Sequence, residues 1–539
     1  MARPLRTHPN GSFPATLVAD NLIGGAERPA EAGRRFEGRS ACNRDDLVVS
    51  VAQSGAPEVE AACRAAAQAF STWSKTPAPV RGEAIGRIGA LLRQHKELLS
   101  RVVCREIGKT MREARGEVQE AVDTAAFFQS EGRRLYGQTV PSEMPNKELF
   151  TYRRPIGVAA MITAGNFPIA VPSWKIIPAL LCGNTVVWKP SEDASAIAYL
   201  FARIIEDAGV PAGTINVVFG GGSSGAGEAI VEAIDRGWIQ KVSFTGSTAV
   251  GRKIGEVCGR NLQVPSLELG GKNPMVVLPD ADLDLAVEGA LFSGYGTAGQ
   301  RCTSLGNLII DKSIASVFKQ RLVDRLKTIR IGDPTQTEDA LYGPMIAERF
   351  YDTFMGHFDL ARRDGANLLV PAEGRITSDN RPEGFVGDPS KGFYVFPALW
   401  EGVKIDHAIA QTEVFGPTVN IVEVDGFDEA MAAANGTPYG LSSSIYTRNP
   451  ASISRFKNEI TAGMSSVNNT TSGAEAHLPF GGNGWSGNGT RESGIWVLDA
   501  YTKWHSVNED CAGRLQLAQI DVDLGEAETP TDFSALGLA

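Results

Sequence analysis

The sequence lacks both an excess of positive charge and a long hydrophobic run. Its 52 Lys and Arg residues are outnumbered by 62 Asp and Glu residues, giving a net charge of −10. Because phosphate groups bind basic surfaces, this balance argues against nucleic acid or an anionic membrane as a partner. No apolar run reaches the roughly 20 residues that span a bilayer, and Met1 to Phe13 lack the apolar stretch of a secretory signal. We therefore expect a cytoplasmic protein.

Histidine and cysteine are also sparse. The six histidines are scattered and form no H-E-x-x-H motif, so the sequence predicts no catalytic metal. The seven cysteines are odd in number and no pair has C-x-x-C spacing. This pattern argues against a disulfide framework or a zinc site. Most of these cysteines are expected to be small buried apolar residues.

The chain is nevertheless long enough for more than one domain. It has 539 residues, with the 43% hydrophobic and 21% charged content of an ordinary soluble globular protein. Residues 57–130 have the apolar spacing of helices, and Gly108 is expected to close one helical stretch there. One helical face is formed by Val59, Cys63, Ala66 and Phe70.

From Ile156 onward, short β-rich runs alternate with helical segments. This alternation predicts an α/β protein with parallel sheets, whose strands are buried on both faces. The candidate strands are Val158–Ile162, Thr185–Trp188, Ile215–Phe219, Val242–Thr245, Met275–Leu278, Leu308–Asp311, Val419–Val424 and Ser442–Tyr446. Residues 514–539 differ in composition and are interpreted as an appended tail.

Three segments carry residue types suited to catalysis. Cys302, in Gly-Gln-Arg-Cys-Thr, could serve as a thiolate nucleophile if Arg301 and backbone amides lower its pKa; the alternative is an inert buried cysteine. Glu268, before a Gly pair, could act as a general base or be a solvated loop residue. Asn166 could donate to an oxyanion, an interaction of about 3 kcal/mol, or could only stabilise its own turn.

Two further segments lie where open α/β sheets bind ligands, at the ends of strands. Lys189 and Glu192 could hydrogen-bond a ribose, or could be surface residues flanking a helix. Phe244-Thr245-Gly246-Ser247 precedes a helix whose N-terminus would suit a phosphate, or it is an ordinary turn. The segment Gly482-x-Gly484-x-x-Gly487 fits the dinucleotide fingerprint, but no strand precedes it, so we interpret it as a loop.

Taken in order, these segments resemble the aldehyde dehydrogenase superfamily over about residues 30–510. Each block is weak alone, but seven in sequence are specific. The blocks are Asn166-Phe167-Pro168, Lys189-Pro190-Ser191-Glu192, Phe244-Thr245-Gly246-Ser247, Glu268-Leu269-Gly270-Gly271-Lys272, Gly299-Gln300-Arg301-Cys302, Glu413-Val414-Phe415-Gly416-Pro417 and Pro479-Phe480-Gly481-Gly482.

The resemblance implies a subunit of three parts. A Rossmann-like NAD-binding domain would comprise residues 1–136 and 157–267, and a second α/β domain, residues 268–496, would carry the nucleophile. A small β element, residues 137–156 and 497–513, would join subunits into a homodimer or homotetramer. The 514–539 tail would follow it and could cross onto a partner subunit or be a floppy appendage.

The resemblance also implies a mechanism. Cys302 would attack an aldehyde, Asn166 and the Cys302 N–H would hold the oxyanion, and Glu268 would activate water to release the acid. NAD would be preferred, because a carboxylate at Glu192 would repel a 2′-phosphate. The residues expected to bind NAD are Ile162, Thr163, Lys189, Ser191, Glu192, Gly222, Phe244, Gly246, Ser247, Val250, Leu269, Glu413 and Phe415.

Substrate recognition resembles the α-aminoadipic semialdehyde (antiquitin) branch in part. There an Arg and a Glu recognise the substrate's carboxylate and amine, and Arg301 and Glu120 match those positions. The Ala476-His477-Leu478-Pro479 segment departs from the branch. Arg301 could instead activate the thiolate or form a structural ion pair. The expected substrate residues are Glu120, Phe167, Arg301, Thr303, Glu475 and Phe480.

Two other functions are compatible with the resemblance in outline. A CoA-acylating enzyme would not need a water-activating base at Glu268. A non-catalytic structural or binding member of the family would be expected to lose Cys302, Glu268 or Asn166. All three residues are present, so we expect an enzyme that oxidises a small-molecule aldehyde to a carboxylic acid.

Overall fold

The computed structural model describes residues 15–31, 33–222, 225–370, 372–511, 513, 515 and 531–537. The first part of the chain forms short strands and then four helices. These elements are β1 (Leu17–Ala19), β2 (Asn21–Ile23), β3 (Ala26–Arg28), β4 (Arg35–Arg39), β5 (Leu47–Ala52), α1 (Ala56–Trp73), α2 (Ala78–Gln94), α3 (Lys96–Ile107) and α4 (Met111–Glu131).

The predicted helical region therefore holds separate helices. The stretch expected to run to Gly108 is divided at His95 into α2 and α3, because His95 has a non-helical φ of −101°. Gly108 closes α3 as predicted, with a left-handed φ of 75°. Thr110 then caps α4, since its side chain accepts from the Glu113 N–H at 3.3 Å.

The middle of the chain begins with a hairpin and continues with alternating strands and helices. The elements are β6 (Thr139–Val140), β7 (Lys147–Pro155), β8 (Val158–Ile162), α5 (Ala170–Leu181), β9 (Thr185–Lys189), α6 (Ser195–Asp207), β10 (Ile215–Val217), α7 (Ala226–Asp235), β11 (Lys241–Thr245), α8 (Thr248–Arg260) and β12 (Ser266–Glu268).

The last part repeats this alternation and ends in a long strand. The elements are β13 (Asn273–Val277), α9 (Leu283–Tyr295), β14 (Leu305–Asp311), α10 (Lys312–Thr328), α11 (Glu348–Arg363), β15 (Asn367–Leu368), β16 (Ala398–Glu401), α12 (Ala408–Gln411), β17 (Thr418–Val424), α13 (Gly426–Ala434), β18 (Tyr439–Gly440), β19 (Ser444–Tyr446), α14 (Pro450–Glu459), β20 (Ser466–Val467), β21 (Asn483–Gly484), α15 (Val497–Ala500) and β22 (Thr502–Asp510).

Two large sheets organise the described residues. The first has the order β12-β11-β8-β9-β10-β2-β3, and the second has the order β15-β16-β17-β14-β13-β19-β20. Their central strands are parallel, whereas the edge pairs β10–β2, β2–β3 and β15–β16 are antiparallel. Separate clusters of buried apolar side chains surround the two sheets. The alternation of strands and helices in the sequence thus produces the parallel α/β sheets that it predicts.

Smaller sheets complete the architecture. β6 and β7 form the hairpin expected in residues 137–156, and β7 pairs antiparallel with β22 along its whole length. β1, β4 and β5 form another small sheet, which the sequence did not predict. The Gly482–Gly487 segment is a loop apart from the two-residue β21, which pairs with β18. Of the 514–539 tail, only 515 and 531–537 lie within the described residues.

None of the helices in the described ranges combines the length and apolar character that crossing a bilayer requires. All seven cysteines fall within these ranges and are free, and five of them are buried. The exceptions are Cys302, which is partly exposed, and Cys511, which is exposed. The prediction that most cysteines are buried apolar residues is therefore confirmed.

A buried histidine makes the stability of the second sheet sensitive to acid. His357 accepts from Trp400 Nε1 through Nε2 at 3.2 Å, and burial lowers its pKa to about 4. Its contribution to stability is present above the unfolded pKa of about 6.5 and is lost as the pH falls towards 4. The expected loss between pH 7 and pH 4 is ~3 kcal/mol. Calorimetry should show a smaller acid-induced fall in Tm for His357→Gln, and an equal fall would contradict this role.

Candidate active site

A cavity of about 910 Å³ lies where the carboxyl ends of the first sheet meet the second half of the chain. It brings together all three predicted catalytic residues and all six predicted substrate residues. The predicted residues on its wall are Glu120, Asn166, Phe167, Gly246, Ser247, Glu268, Leu269, Arg301, Cys302, Thr303, Glu413, Phe415, Glu475 and Phe480. The other predicted cofactor residues lie outside this wall and are described below.

Cys302 lies in a loop whose backbone is constrained. The preceding turn, Gly296–Gly299, places Thr297 and Ala298 in the left-handed region, with φ values of 53° and 52°. Such conformations cost energy in non-glycine residues and persist only where surrounding contacts hold them. Here the Asn273 side chain donates to the Cys302 and Ser304 carbonyls at 2.8 and 2.7 Å. The loop that carries Cys302 is therefore held in place by a side chain of β13.

The protonation of Cys302 differs from the expectation. Burial, with smaller contributions from the charges of Glu268 and Glu413, raises the pKa of the thiol to about 12. Backbone amides of Cys302 and Thr303 act in the opposite direction, as expected. The expected lowering by Arg301 is not found, because the charge of Arg301 is matched by the ion pair described below. The free thiol is thus the resting form.

Asn166 lies in the loop between β8 and α5. Its Nδ2 donates to the Gln300 carbonyl at 2.9 Å, across 134 positions of sequence. The alternative of a purely local turn contact is therefore wrong. The hydrogen bond joins the Asn166 loop to the Cys302 loop, and an amide has a second N–H that remains for a ligand. The side chain can thus donate to an oxygen in the cavity.

Glu268 ends β12 and is buried rather than solvated. Neither carboxylate oxygen forms a hydrogen bond of good geometry with a described residue. Burial and the charge of Glu492 raise the pKa of Glu268 well above its ordinary value. The cations Lys175 and Arg491, and to a lesser extent the Gly482 amide, act in the opposite direction. A carboxyl group with a raised pKa in a cavity is suited to proton transfer near neutral pH.

A buried ion pair beside Glu268 escaped the sequence analysis. Lys175 Nζ lies 2.7 Å from Glu492 Oε1, and both contact the Ser243 hydroxyl. A lone lysine in the apolar helix α5 was a usable signal, since such a residue is almost never fully buried unless it is paired. Glu492 had no such signal, because its partner lies 317 positions away.

Glu413 and Phe415 border the cavity on the other side. Glu413 Oε1 accepts from the Gly271 N–H at 3.0 Å, and burial raises the pKa of its carboxyl to about 7. Phe415 has a left-handed φ of 56° and its ring packs on Phe350 at 5.2 Å. At Gly270 a Cβ would meet Glu413 Oε2 at 2.0 Å, so a larger residue there would displace the Glu413 carboxylate.

The first sheet gathers other predicted cofactor residues at its carboxyl edge. Ile162 is in register with both Lys189 and Phe244 on its neighbouring strands. Lys189 is buried, and its Nζ donates to Glu192 at 3.1 Å. The alternative of two surface residues is therefore wrong for Lys189, whereas the Glu192 side chain is 42% exposed.

The remaining cofactor candidates have local structural contacts. The Thr163 hydroxyl accepts from Trp188 Nε1 at 3.0 Å. Ser191 caps the short turn Glu192–Ala194, and Ser247 caps α8 by accepting from the Val250 N–H at 3.4 Å. Val250 is exposed on that first turn. Gly222 is exposed beside α7, where its carbonyl is close to Gly227. The start of α8 offers free backbone amides of the kind that bind phosphates.

Arg301 is held by protein groups. Its guanidinium pairs with Glu113, and its Nε donates to the Thr297 hydroxyl at 3.0 Å. Burial would raise the pKa of Glu113, but Arg301, Lys109 and the Thr297 hydroxyl together hold it below its ordinary value. The structural ion pair, left open as an alternative, is the arrangement observed. Glu113 was not identified from the sequence.

The other predicted substrate residues form the wall of the cavity around Cys302. Phe480 packs on Trp174, with ring centroids 4.8 Å apart. Thr303 donates weakly to Ser472 at 3.4 Å. Glu475 lines the cavity directly before the Ala476–Pro479 segment, which departs from the antiquitin branch. Glu120 has one buried oxygen without a hydrogen-bond partner in the described chain, and burial and Glu117 raise its pKa to about 8.

A thiol, a buried acid and an amide donor lie together on one cavity wall, an arrangement typical of enzymes that use a cysteine nucleophile. The comparisons give its family. A sequence profile described as "Aldehyde dehydrogenase family" matches residues 30–507. The chain belongs to the aldehyde dehydrogenase family, and it is an oxidoreductase that acts on aldehyde groups.

Curated relatives and solved structures agree with this assignment. The chain is 39% identical to an "Alpha-ketoglutarate semialdehyde dehydrogenase" of Haloferax volcanii, over 90% of this chain and 98% of that protein. It is 35% identical to an "Alpha-ketoglutaric semialdehyde dehydrogenase" of Bacillus subtilis, over 89% and 96%. The structure of betaine aldehyde dehydrogenase from Staphylococcus aureus in complex with NAD+ superposes with a TM-score of 0.87 at 29% identity, covering 92% and 96%. The predicted fold and family are confirmed.

Proposed function

We propose that the protein oxidises an aldehyde to a carboxylic acid with NAD through a covalent intermediate on Cys302. The observation that carries this proposal is that Cys302, Glu268 and Asn166 lie on the wall of one cavity. In the proposed sequence, the Cys302 thiol loses its proton to solvent water, and the sulfur adds to the aldehyde carbon while the electron pair of the carbonyl double bond moves to the oxygen. Asn166 Nδ2 and the Cys302 N–H donate to the resulting oxyanion. Oxidation of this thiohemiacetal leaves a thioester on Cys302.

Glu268 then completes the cycle. As a base, its carboxylate takes a proton from water, the resulting hydroxide adds to the thioester carbon, and the carbon–sulfur bond breaks to release the acid. Its raised pKa suits this role, because a carboxylate with a raised pKa binds a proton from water more strongly than an ordinary glutamate does. Neither of its oxygens has a well-formed hydrogen bond to another described residue, so both can accept from a water molecule.

The residues at the first sheet fit a dinucleotide. Lys189 and the partly exposed Glu192 present donor and acceptor atoms for a ribose, and the Ser247-capped start of α8 presents amides for a phosphate. Glu413 and Phe415 would hold the nicotinamide half, since both line the cavity that contains Cys302. When bound, NAD supplies the hydride acceptor. The NAD complex of the Staphylococcus aureus relative supports this choice.

We further propose that the substrate is a semialdehyde that carries a 2-oxo acid group. The Haloferax and Bacillus relatives are named for such a compound. The antiquitin-like alternative requires Arg301 for a carboxylate and an ionised Glu120 for an amine. In this chain Glu113 matches the charge of Arg301, and the raised pKa of Glu120 favours its uncharged form. The second observation favours an oxo group over an ammonium group, because an uncharged Glu120 provides no opposite charge for an ammonium.

A substrate screen tests the function and its specificity. With NAD, we expect kcat/KM for α-ketoglutaric semialdehyde to exceed that for α-aminoadipic semialdehyde by at least about tenfold. Succinic semialdehyde, which lacks both groups, serves as the reference. Equal values for the 2-oxo and 2-amino compounds would contradict the specificity, and no NADH from any aldehyde would contradict the function. Addition of CoA should yield no acyl-CoA.

The raised pKa of Glu120 predicts that the affinity for a carboxylate-bearing substrate depends on pH. Its pKa of about 8 lies above the ordinary value for glutamate, so the side chain is uncharged below pH 8 and gains a negative charge above it. We expect the KM for a carboxylate-bearing aldehyde to rise by a few-fold between pH 7 and pH 9, because like charges then repel. In Glu120→Gln this rise should vanish. A wild-type KM that is flat over this range would contradict the assignment.

The location and assembly of the protein are also proposed. All seven cysteines are free thiols, which agrees with a reducing compartment such as the cytoplasm. The exposed strand β22, paired with the hairpin strand β7, offers an edge on which subunits could join as a homodimer or homotetramer. The domain division given above, with residues 1–136 and 157–267 separate from 268–496, agrees with the division of strands between the two large sheets.

A further inference from the structure

Helix α4 contacts the Asn166 loop through the side chain of Glu117. Glu117 Oε1 accepts from the Ile169 N–H at 2.9 Å and from the Ala170 N–H at 3.3 Å. These amides belong to the start of α5, which would otherwise lack hydrogen-bond acceptors. Only Phe167 and Pro168 separate Asn166 from Ile169, so Glu117 fixes the backbone close to the proposed oxyanion donor.

Lys109 holds Glu117 from the other side. Its Nζ lies 2.5 Å from Glu117 Oε2, and the two side chains are 1% and 0% exposed. The same Nζ lies 3.3 Å from the centroid of the Phe167 ring, within the range of a cation–π contact. The pair therefore touches the loop at two points, on the backbone beyond Asn166 and on the adjacent aromatic ring.

A buried ion pair is a poor way to gain stability. Desolvation of two charges offsets most of their attraction, and apolar residues of similar volume are often as stable. An ion pair that accepts hydrogen bonds from backbone amides can instead fix the position of the backbone that carries them. On the far side of the loop, Asn166 Nδ2 donates to the Gln300 carbonyl, two positions before Cys302. The loop is thus held between α4 and the nucleophile segment.

We propose that Glu117, held by Lys109, is a positioning residue that sets the distance of the Asn166 amide from Cys302. The inference rests on the proposed roles of Asn166 and Cys302. It extends the set of residues needed for oxyanion stabilisation to Glu117 on α4 and Lys109 in the segment just before that helix, eight positions apart. Their action is exerted through hydrogen bonds to the backbone of residues 169 and 170.

The test compares two double variants that both remove the buried charges. Lys109→Met/Glu117→Gln keeps an oxygen that accepts from the two amides, whereas Lys109→Met/Glu117→Leu does not. In the glutamine variant we expect kcat/KM for the aldehyde to decrease by no more than about fivefold relative to wild type, because removal of a buried ion pair is often tolerated. In the second it should fall on the order of 100-fold, the effect of a misplacement of about 1 Å. Equal values in the two variants would overturn the proposal.

A second arm separates positioning from general destabilisation. In an Asn166→Ala background, the difference between the two double variants should shrink below about threefold, because residues that act through one group are not additive. A difference that stays near 100-fold would overturn the proposal. If Asn166→Ala alone retains the wild-type rate, the oxyanion assignment fails instead, so the two failures are distinguishable.

Two controls complete the design. Arg115→Met/Glu338→Gln removes an ion pair on the exposed side of the same helix and should leave kcat/KM and the Kd for NAD at wild-type values. If the leucine variant does not fold, Lys109→Met/Glu117→Met offers a more flexible apolar side chain with the same expected loss. The Kd for NAD, measured by protein fluorescence, should be unchanged in every variant, and a parallel loss of NAD binding would overturn the proposal.

Discussion

Replacement of Cys302 by alanine is expected to abolish NADH formation. The sulfur atom is the only part of the proposed mechanism that bonds to the substrate, so its removal leaves no route to the thioester. We expect kcat to fall by on the order of 10⁴-fold or more. The rate of NADH formation is followed with saturating NAD and a semialdehyde, and the Kd for NAD should stay at its wild-type value.

Cys511→Ala is the matched control for this variant. Cys511 is exposed at the end of β22, whereas Cys302 lies on the cavity wall. The control should keep the wild-type kcat. Turnover of Cys302→Ala at the wild-type rate would remove this residue from the mechanism.

Replacement of Glu268 by glutamine is expected to separate the two halves of the reaction. The amide cannot take a proton from water, so hydrolysis of the thioester should slow by about 10²- to 10⁴-fold, the usual contribution of a general base. Acylation should continue, because loss of the Glu268 charge removes one of the influences that raise the pKa of Cys302. Stopped-flow absorbance should show a burst of one NADH per active site, followed by a slow steady state.

Glu475→Gln is a suitable control for the burst experiment. This glutamate also lines the cavity, but it has no part in the proposed hydrolysis. The variant should therefore not show an NADH burst that is followed by a slow steady state. A normal steady-state rate in Glu268→Gln would exclude Glu268 as the base. Loss of the burst together with turnover would instead place Glu268 in acylation.

The sequence was a good guide to elements whose signals are local. The strand Val158–Ile162 has the predicted bounds, and the others differ from prediction by a few residues at their ends. Gly108 closes its helix because a left-handed residue is needed there. Six of the seven family blocks contribute residues to the cavity wall. Four of the seven lie where a strand of the first sheet ends, which is the edge at which open α/β sheets bind ligands.

The sequence was a poor guide to long-range ion pairs. Arg301 was expected to serve the thiol or the substrate, yet it pairs with Glu113, 188 positions away. No local sequence pattern indicates such a distant partner. Glu492 was not predicted for the same reason, because its partner Lys175 is also far away in the sequence. The strands before residue 53 were also missed, although Leu47–Ala52 is a nearly continuous apolar run. Short edge strands have too few residues to establish a period.

One measurement tests the central claim most directly. Glu268→Gln is mixed with NAD and a semialdehyde, quenched with acid within seconds, and digested for peptide mass spectrometry. Because hydrolysis is slow in this variant, the thioester should accumulate. It should appear as one acyl group on the peptide that contains Cys302, in an amount equal to the NADH burst. A burst with an unmodified Cys302 peptide, or an acyl group on another cysteine, would contradict the proposed chemistry.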